Sequence, residues 1–255
     1  MKRVYPQPMN AYTAYGDSRN PPLLFLHGIR LGREIWEPHA TALADAYYVL
    51  TVDLPGHGAL ADVPFSVATV GALLTEIVDD VLARRPPVLI GYSLGGYVAM
   101  QFAHDTPERT SGVLLAGCTS DLKGWQHHPY DWLVHAANSV PSGVLRAAIA
   151  ATFRVTLPSA VADTVIPLRF NASVFGDVKR AKTGLTSSEL LRSYDKPVLI
   201  VNGQWDVFFR ADEAKFAKAA RAPVRLIRRS DHVAPLRKPH QFTALVRQFA
   251  ERVYG

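Results

Sequence analysis

Short apolar runs recur along the chain, separated by longer stretches in which apolar residues return every three or four positions. Pro22–Gly28, Tyr47–Gly56, Pro87–Ser93, Gly112–Gly117, Pro197–Gly203 and Ala222–Arg229 read as strands. Four of the six are nearly unbroken in apolar character, the pattern of parallel strands covered on both faces. Val67–Ala83, Gly95–His104, Ala211–Ala220 and Pro239–Val253 carry helical spacing. Strand and helix in repeated alternation predict an α/β protein with a mostly parallel, doubly wound sheet, whose sites lie at the carboxyl ends of its strands.

One stretch breaks this rhythm. From 119 to 185 no comparable strand occurs, yet Trp125, Trp132, Phe153, Phe170 and Phe175 are spread among helical patterns. That is too long for a plain loop in a compact domain. The expected organisation is a core built from 1–118 and 186–255, with 119–185 inserted as a helical cap. No internal repeat or low-complexity tract interrupts it.

Composition narrows the class. A chain of 255 residues, 48% hydrophobic and 20% charged, is long enough to bury a large core in one domain. The net charge of +6 comes from scattered Lys and Arg, with pairs such as Arg84-Arg85 and Arg228-Arg229 but no long basic run. A solvated basic surface is therefore expected rather than a nucleic-acid interface. Cys118 is the only cysteine, which excludes a disulfide within the chain and a thiolate metal cluster. The basic start of the chain is not followed by an apolar stretch, and no segment has the apolar length of a membrane span. A cytoplasmic enzyme is the expectation.

The candidate chemistry centres on Gly91-Tyr92-Ser93-Leu94-Gly95, a G-x-S-x-G pattern with an apolar run before it and helical spacing after it. Alone, the motif leaves open whether Ser93 is a nucleophile or a small residue in a tight turn. A nucleophile's backbone would be strained there, and the glycines at 91 and 95 would relieve collisions across the turn. The following helix would aim its free N–H groups at developing negative charge. A serine also needs a base, and the base an orienting acid. Asp206 in "NGQWDVF" and His232 in "RRSDHVAPLRKP" each follow a predicted strand, so one sheet edge would bring both to Ser93. Asp231 adjoins the histidine but points away from it, and Asp121 is the fallback acid. Leu94 and Ile29 are the expected backbone donors of an oxyanion hole.

Three rival chemistries are weaker. Gly56–Ala61 fits G-x-G-x-x-A after a strand, but Pro64 stands where a dinucleotide-binding helix would open, and no acidic residue closes a second strand. His127, His128 and His135 lack a nearby carboxylate cluster, so no metal is expected. No other cofactor is expected either, and Trp125 and Trp132 read as packing rather than nucleic-acid stacking platforms.

"FLHG" (Phe25–Gly28) with Trp36 downstream, "DLPGHG" (Asp53–Gly58), "GYSLGG" (Gly91–Gly96), "NGQWD" (Asn202–Asp206) and "DHVAPLRKP" (Asp231–Pro239) together resemble the α/β-hydrolase superfamily, in its capped, esterase-like branch. The resemblance covers nearly all of the chain outside the cap. It implies Ser93 as nucleophile, Asp206 as acid, His232 as base, and the Ile29 and Leu94 amides as oxyanion donors. Branches that attack with a carboxylate at the elbow are set aside by the serine. Carboxylesterases, lactonases, perhydrolases, thioesterases and carbon–carbon bond hydrolases stay open. So does a menaquinone-pathway synthase whose elbow is usually followed by arginine, where this chain has Tyr97, a departure that weakens the reading and that Arg30 would offset in part as an anion-binding arginine. The expected function is hydrolysis of a small or medium carboxylic ester or lactone with an apolar acyl or aromatic part. Arg30, Tyr92, Trp125, Trp132 and Trp205 are the expected pocket residues. A non-catalytic ligand-binding homologue is the reading from a different class.

Overall fold

A computed structural model describes residues 11–121, 140, 142–168 and 186–255. Seven strands form one sheet: β1 (Tyr12–Tyr15), β2 (Pro22–Leu26), β3 (Tyr48–Val52), β4 (Val88–Tyr92), β5 (Gly112–Ala116), β6 (Val198–Gly203) and β7 (Val224–Ile227). Their order is β1-β3-β2-β4-β5-β6-β7. Every neighbouring pair is parallel except β1 with β3. All six strands expected from the sequence are present, mostly a residue or two shorter at their ends, while β3 stops at Val52, four residues before the expected Gly56.

The apolar runs are unbroken because both faces of the sheet are covered. Successive side chains on a strand point to opposite faces. Leu24 and Leu26 of β2 join one core cluster, with Leu50, Leu89, Val113 and Ile200. Leu23 and Phe25 join the other, with Val49, Ile90, Leu114 and Val201. The second face is covered by α1 (Glu37–Leu43), the first by α2 (Val67–Glu76) and α3 (Leu94–Asp105). Between β5 and β6 lie α4 (Ser142–Thr156) and α5 (Ser159–Val165). Ala162 and Val165 of α5 reach the second-face cluster beside Ile35 and Trp36. Helix α6 (Glu213–Ala220) closes the first face through Phe216, and α7 (Pro239–Tyr254) the second through Phe242, Val246 and Phe249.

Local chemistry sets the helix ends. Ser66 accepts the Thr69 amide while Thr69 Oγ1 accepts the Ser66 amide, a reciprocal cap at the start of α2. Pro239 begins α7, where its missing N–H costs nothing. Several short elements escaped the sequence pattern, strand β1 and helix α1 among them. Strand β1 is four residues at the antiparallel edge, too short to show alternation. Helix α1 is seven residues, under two turns.

The chain moves from β2 to β3 on one side and then to β4 on the other. The topological switch point therefore lies between the carboxyl ends of β2 and β4, where a doubly wound sheet opens a crevice.

Candidate active site

Ser93 stands at that crevice, between the last residue of β4 and the first of α3. Its backbone has φ 52° and ψ −116°, a left-handed region that costs a non-glycine residue on the order of 1–3 kcal/mol. The turn is held by the Ser93 amide donating to the Ala116 carbonyl at 2.8 Å, and by the Gly96 amide donating to the Ser93 carbonyl at 2.9 Å. The flanking glycines are steric necessities. A Cβ on Gly91 would lie 2.5 Å from the Gly95 carbonyl oxygen, and one on Gly95 would strike the Leu26 carbonyl.

The loops after β4, β6 and β7 converge. Ser93 Oγ lies 3.0 Å from His232 Nε2, and His232 Nδ1 lies 2.8 Å from Asp206 Oδ2. A carboxylate only accepts, so Nδ1 carries the proton and donates it to Asp206. Nε2 is then the acceptor for the Ser93 hydroxyl. Asp206 is buried, and its second oxygen accepts the Phe209 amide at 3.2 Å, which fixes the carboxylate. His232 is the half-exposed member, its imidazole stacked on Phe209 with ring centroids 4.0 Å apart and an interplanar angle of 21°. Gly117, at the end of β5, makes room for this pair. It has φ +59°, and a Cβ there would crowd the His232 ring at 3.1 Å. Asn202 ties the surrounding strand ends together, its Oδ1 accepting the Gly117 amide and its Nδ2 donating to Thr119 and Glu213.

Asp121, the fallback acid, is committed elsewhere. Its carboxylate accepts the Ser188 amide and hydroxyl, each at 2.8 Å, and is paired with Lys215. It joins the two ends of the segment between β5 and β6, and Asp206 is the carboxylate that meets the histidine. Asp231 pairs with Arg237 at 3.3 Å. Cys118 is buried, and burial pushes its thiol pKa up, away from the reactive thiolate.

The two expected oxyanion donors flank the serine. Leu94 opens α3, where its amide has no partner within the helix. Ile29 lies in the loop after β2, beside Arg30 at φ 64°. A Cβ on the preceding Gly28 would crowd Ser93 Cβ at 3.3 Å, so this loop passes close over the serine.

The expected pocket residues separate. Tyr92 is buried beneath the serine, tilted against His232 at 5.3 Å and edge-on to Trp36 at 6.3 Å. Trp205 is mostly exposed, as are Val207 and Phe208 beside it. Arg30 is half-buried, its amide donating to His57 Nε2 at 3.0 Å. Trp125 and Trp132 lie outside the described residues, as does most of the expected 119–185 cap. Tyr97 donates its hydroxyl to the Ser120 carbonyl at 2.8 Å.

The Gly56–Ala61 stretch has another use than phosphate binding. Gly58 has φ +50°, and a Cβ on it would strike the buried Asp53 carboxylate. Asp53 accepts the Ala59 amide at 3.0 Å and the Arg33 amide at 2.9 Å. Among the described residues no group of metal-capable side chains assembles, and no helix is long and apolar enough to cross a membrane.

Phe209, Gly117, Asn202 and His57 are the site residues that sequence reasoning missed. Gly117 closes an apolar run, and His57 sits inside "DLPGHG", but neither position shows its partner until the sheet is assembled.

The fold and the converging loops define a class, and residues 23–245 match the model of the alpha/beta hydrolase family. The chain belongs to that family. Among its relatives, pimeloyl-[acyl-carrier protein] methyl ester esterase of Nitrosospira multiformis is 27% identical, over 90% of this chain and 94% of that protein. A Bacillus subtilis protein assigned provisionally as 2-succinyl-6-hydroxy-2,4-cyclohexadiene-1-carboxylate synthase is 25% identical, over 92% of each. A thermophilic esterase from Thermogutta terrifontis shares the fold with a TM-score of 0.79 at 20% identity, over 96% of this chain and 94% of that one.

Proposed function

We propose that the protein is a serine hydrolase of small or medium carboxylic esters, lactones included, working through an acyl-enzyme. The observation that carries this reading is the hydrogen-bonded chain Ser93–His232–Asp206, at 3.0 and 2.8 Å, on a serine held in strained backbone geometry. Ser93 Oγ attacks the ester carbonyl while His232 Nε2 takes its proton. Asp206 holds the ring and stabilises its cationic form. The tetrahedral oxyanion is met by the Ile29 and Leu94 amides, with the N-terminus of α3 behind them. His232 then returns the proton to the leaving alcohol, and water activated by the same nitrogen releases the acid.

The segment 119–185 acts as a helical cap in this reading, with Trp125 and Trp132 roofing an apolar acyl or aromatic group and Trp205 at the rim. Support comes from the Nitrosospira multiformis relative, whose name states a methyl ester as its substrate. A second reading, a lyase or carbon–carbon bond hydrolase on the same three residues, draws on the comparable similarity to the Bacillus subtilis protein.

The test is a panel of p-nitrophenyl esters of increasing acyl length, with thioesters, lactones and succinyl-type substrates, assayed with wild type and Ser93→Ala. Ser93→Ala is expected to lower kcat/KM for esters by at least about 10³-fold while circular dichroism stays native. Undiminished ester hydrolysis by the variant sinks the assignment. Turnover of succinyl-type substrates with negligible ester cleavage selects the second reading.

A further inference from the structure

The loop carrying the Ile29 amide is bound on its inner side by two buried histidines arranged reciprocally. His27, on the loop after β2, accepts the Leu54 amide through Nε2 at 3.0 Å. His57, on the loop after β3, accepts the Arg30 amide through Nε2 at 3.0 Å. Each loop thus supplies a ring to the other's backbone, and the two rings meet edge to face with centroids 4.9 Å apart.

These contacts determine the tautomers. A backbone amide can only donate, so each Nε2 is a bare acceptor, and each neutral ring carries its proton on Nδ1. His27 Nδ1 faces the Gly28 carbonyl at 2.8 Å, and His57 Nδ1 faces the Pro55 carbonyl at 3.0 Å. Both rings are fully buried, and burial lowers their pKa values, to about 4 for His27 and about 3 for His57. The uncharged state that the hydrogen bonds require is therefore also the one the surroundings favour.

The consequence falls on the peptide between Gly28 and Ile29. Its carbonyl is engaged by His27 Nδ1–H, and it also accepts the Leu31 amide at 3.2 Å. Because a trans peptide is planar, fixing the direction of its carbonyl aims its N–H the opposite way. The next peptide, between Ile29 and Arg30, is fixed at its N–H by His57. Both peptide planes flanking Ile29 are thus set by an imidazole, at a turn where Arg30 is left-handed and loop geometry would otherwise relax. We propose that His27 and His57 are positioning residues that aim the Ile29 amide at the developing oxyanion by holding the two peptides around it. This rests on the serine-hydrolase reading, in which that amide is an oxyanion donor.

Two measurements test it. Long-range ¹H–¹⁵N correlation spectra of the wild-type protein are expected to show two neutral histidines protonated on Nδ1 and assigned to 27 and 57. Protonation of either on Nε2 overturns the proposal, whatever any variant does. In parallel, His57→Leu removes the acceptor for Arg30, whereas His57→Gln keeps an oxygen within reach. His57→Leu is expected to lower kcat by 10- to 100-fold with KM within about threefold, and His57→Gln to recover most of the loss. If the two variants lose activity equally, or if the loss falls on KM, the positioning role is wrong. Fluorophosphonate labelling of Ser93 in wild type separates this outcome from failure of the parent reading. Without labelling both fall, and with labelling and unchanged kcat in His57→Leu only the positioning role falls.

Discussion

At the scale of single residues, the site depends as much on missing atoms as on functional groups. Gly95 lies at the start of α3, where an added Cβ would meet the Leu26 carbonyl, and Leu26 leads directly into the loop bearing Ile29. Gly95→Ala must push apart the two backbones that flank the reacting centre. Overpacking of this kind costs roughly 1–3 kcal/mol, and the displacement falls on Ser93 and Ile29 together. We expect a lower melting temperature and at least a tenfold loss of ester turnover. Gly71 is the control, since it sits inside α2 with nothing within 4 Å of a built Cβ. Gly71→Ala is expected to stabilise by about 0.5–1 kcal/mol, through helix propensity and a less flexible unfolded chain, with activity unchanged. Thermal melts and initial rates of the pair decide this. Equal responses of the two glycines would show that the crowding at Gly95 is unimportant.

At the scale of elements, the histidine loop is anchored by the helix that follows it. His232 leads through the single turn Ala234–Arg237 into α7, and Phe242 of α7 is fully buried. Its ring stacks on Trp36 with centroids 6.0 Å apart and an interplanar angle of 22°, while His39 of α1 bonds Thr243 at 2.8 Å. Phe242→Ala leaves a cavity against Trp36 and is expected to cost about 3–5 kcal/mol. In a chain of this size that lowers Tm by roughly 10 °C. A melting temperature within two degrees of wild type would mean that α7 does not anchor the second face.

The elements were legible in the sequence to the extent that their periodicity was long enough to read. Strands β2 and β4–β6 announced themselves because burial on both faces makes them apolar nearly throughout, with Asn202 near the end of β6 as the polar exception. Ser93 and Asp206 were legible because each follows such a run, His232 because it follows one more expected strand, the partly exposed edge strand β7, and parallel strands bring their carboxyl ends to one edge. Strand β1 and helix α1 were not, because four and seven residues carry too few repeats of a pattern. Phe209 was hidden for another reason. Its stacking on His232 joins two loops after different strands, and no spacing within one segment encodes a contact between two.

At the scale of the whole molecule, buried neutral histidines make stability depend on pH. Besides His27 and His57, His39 is buried between α1 and α7, and desolvation lowers its pKa to about 4. In the unfolded chain all three titrate near the ordinary histidine value of about 6.5. Between that value and their folded values the unfolded state binds more protons than the folded one, so acid favours unfolding. Their contribution is fully present above about pH 6.5. It is lost as pH falls toward about 4 for His27 and His39, and toward about 3 for His57. Each histidine steepens the stability curve by up to about 1.4 kcal/mol per pH unit within its window. Urea melts from pH 8 to pH 4 are expected to show a plateau above about pH 6.5 and a steep decline below it. His39→Gln removes one titrating group remote from Ser93, so its curve should start lower at neutral pH and fall less steeply in acid. A wild-type curve that stays level or rises between pH 6.5 and pH 4 would mean that these rings are not held neutral in the folded protein.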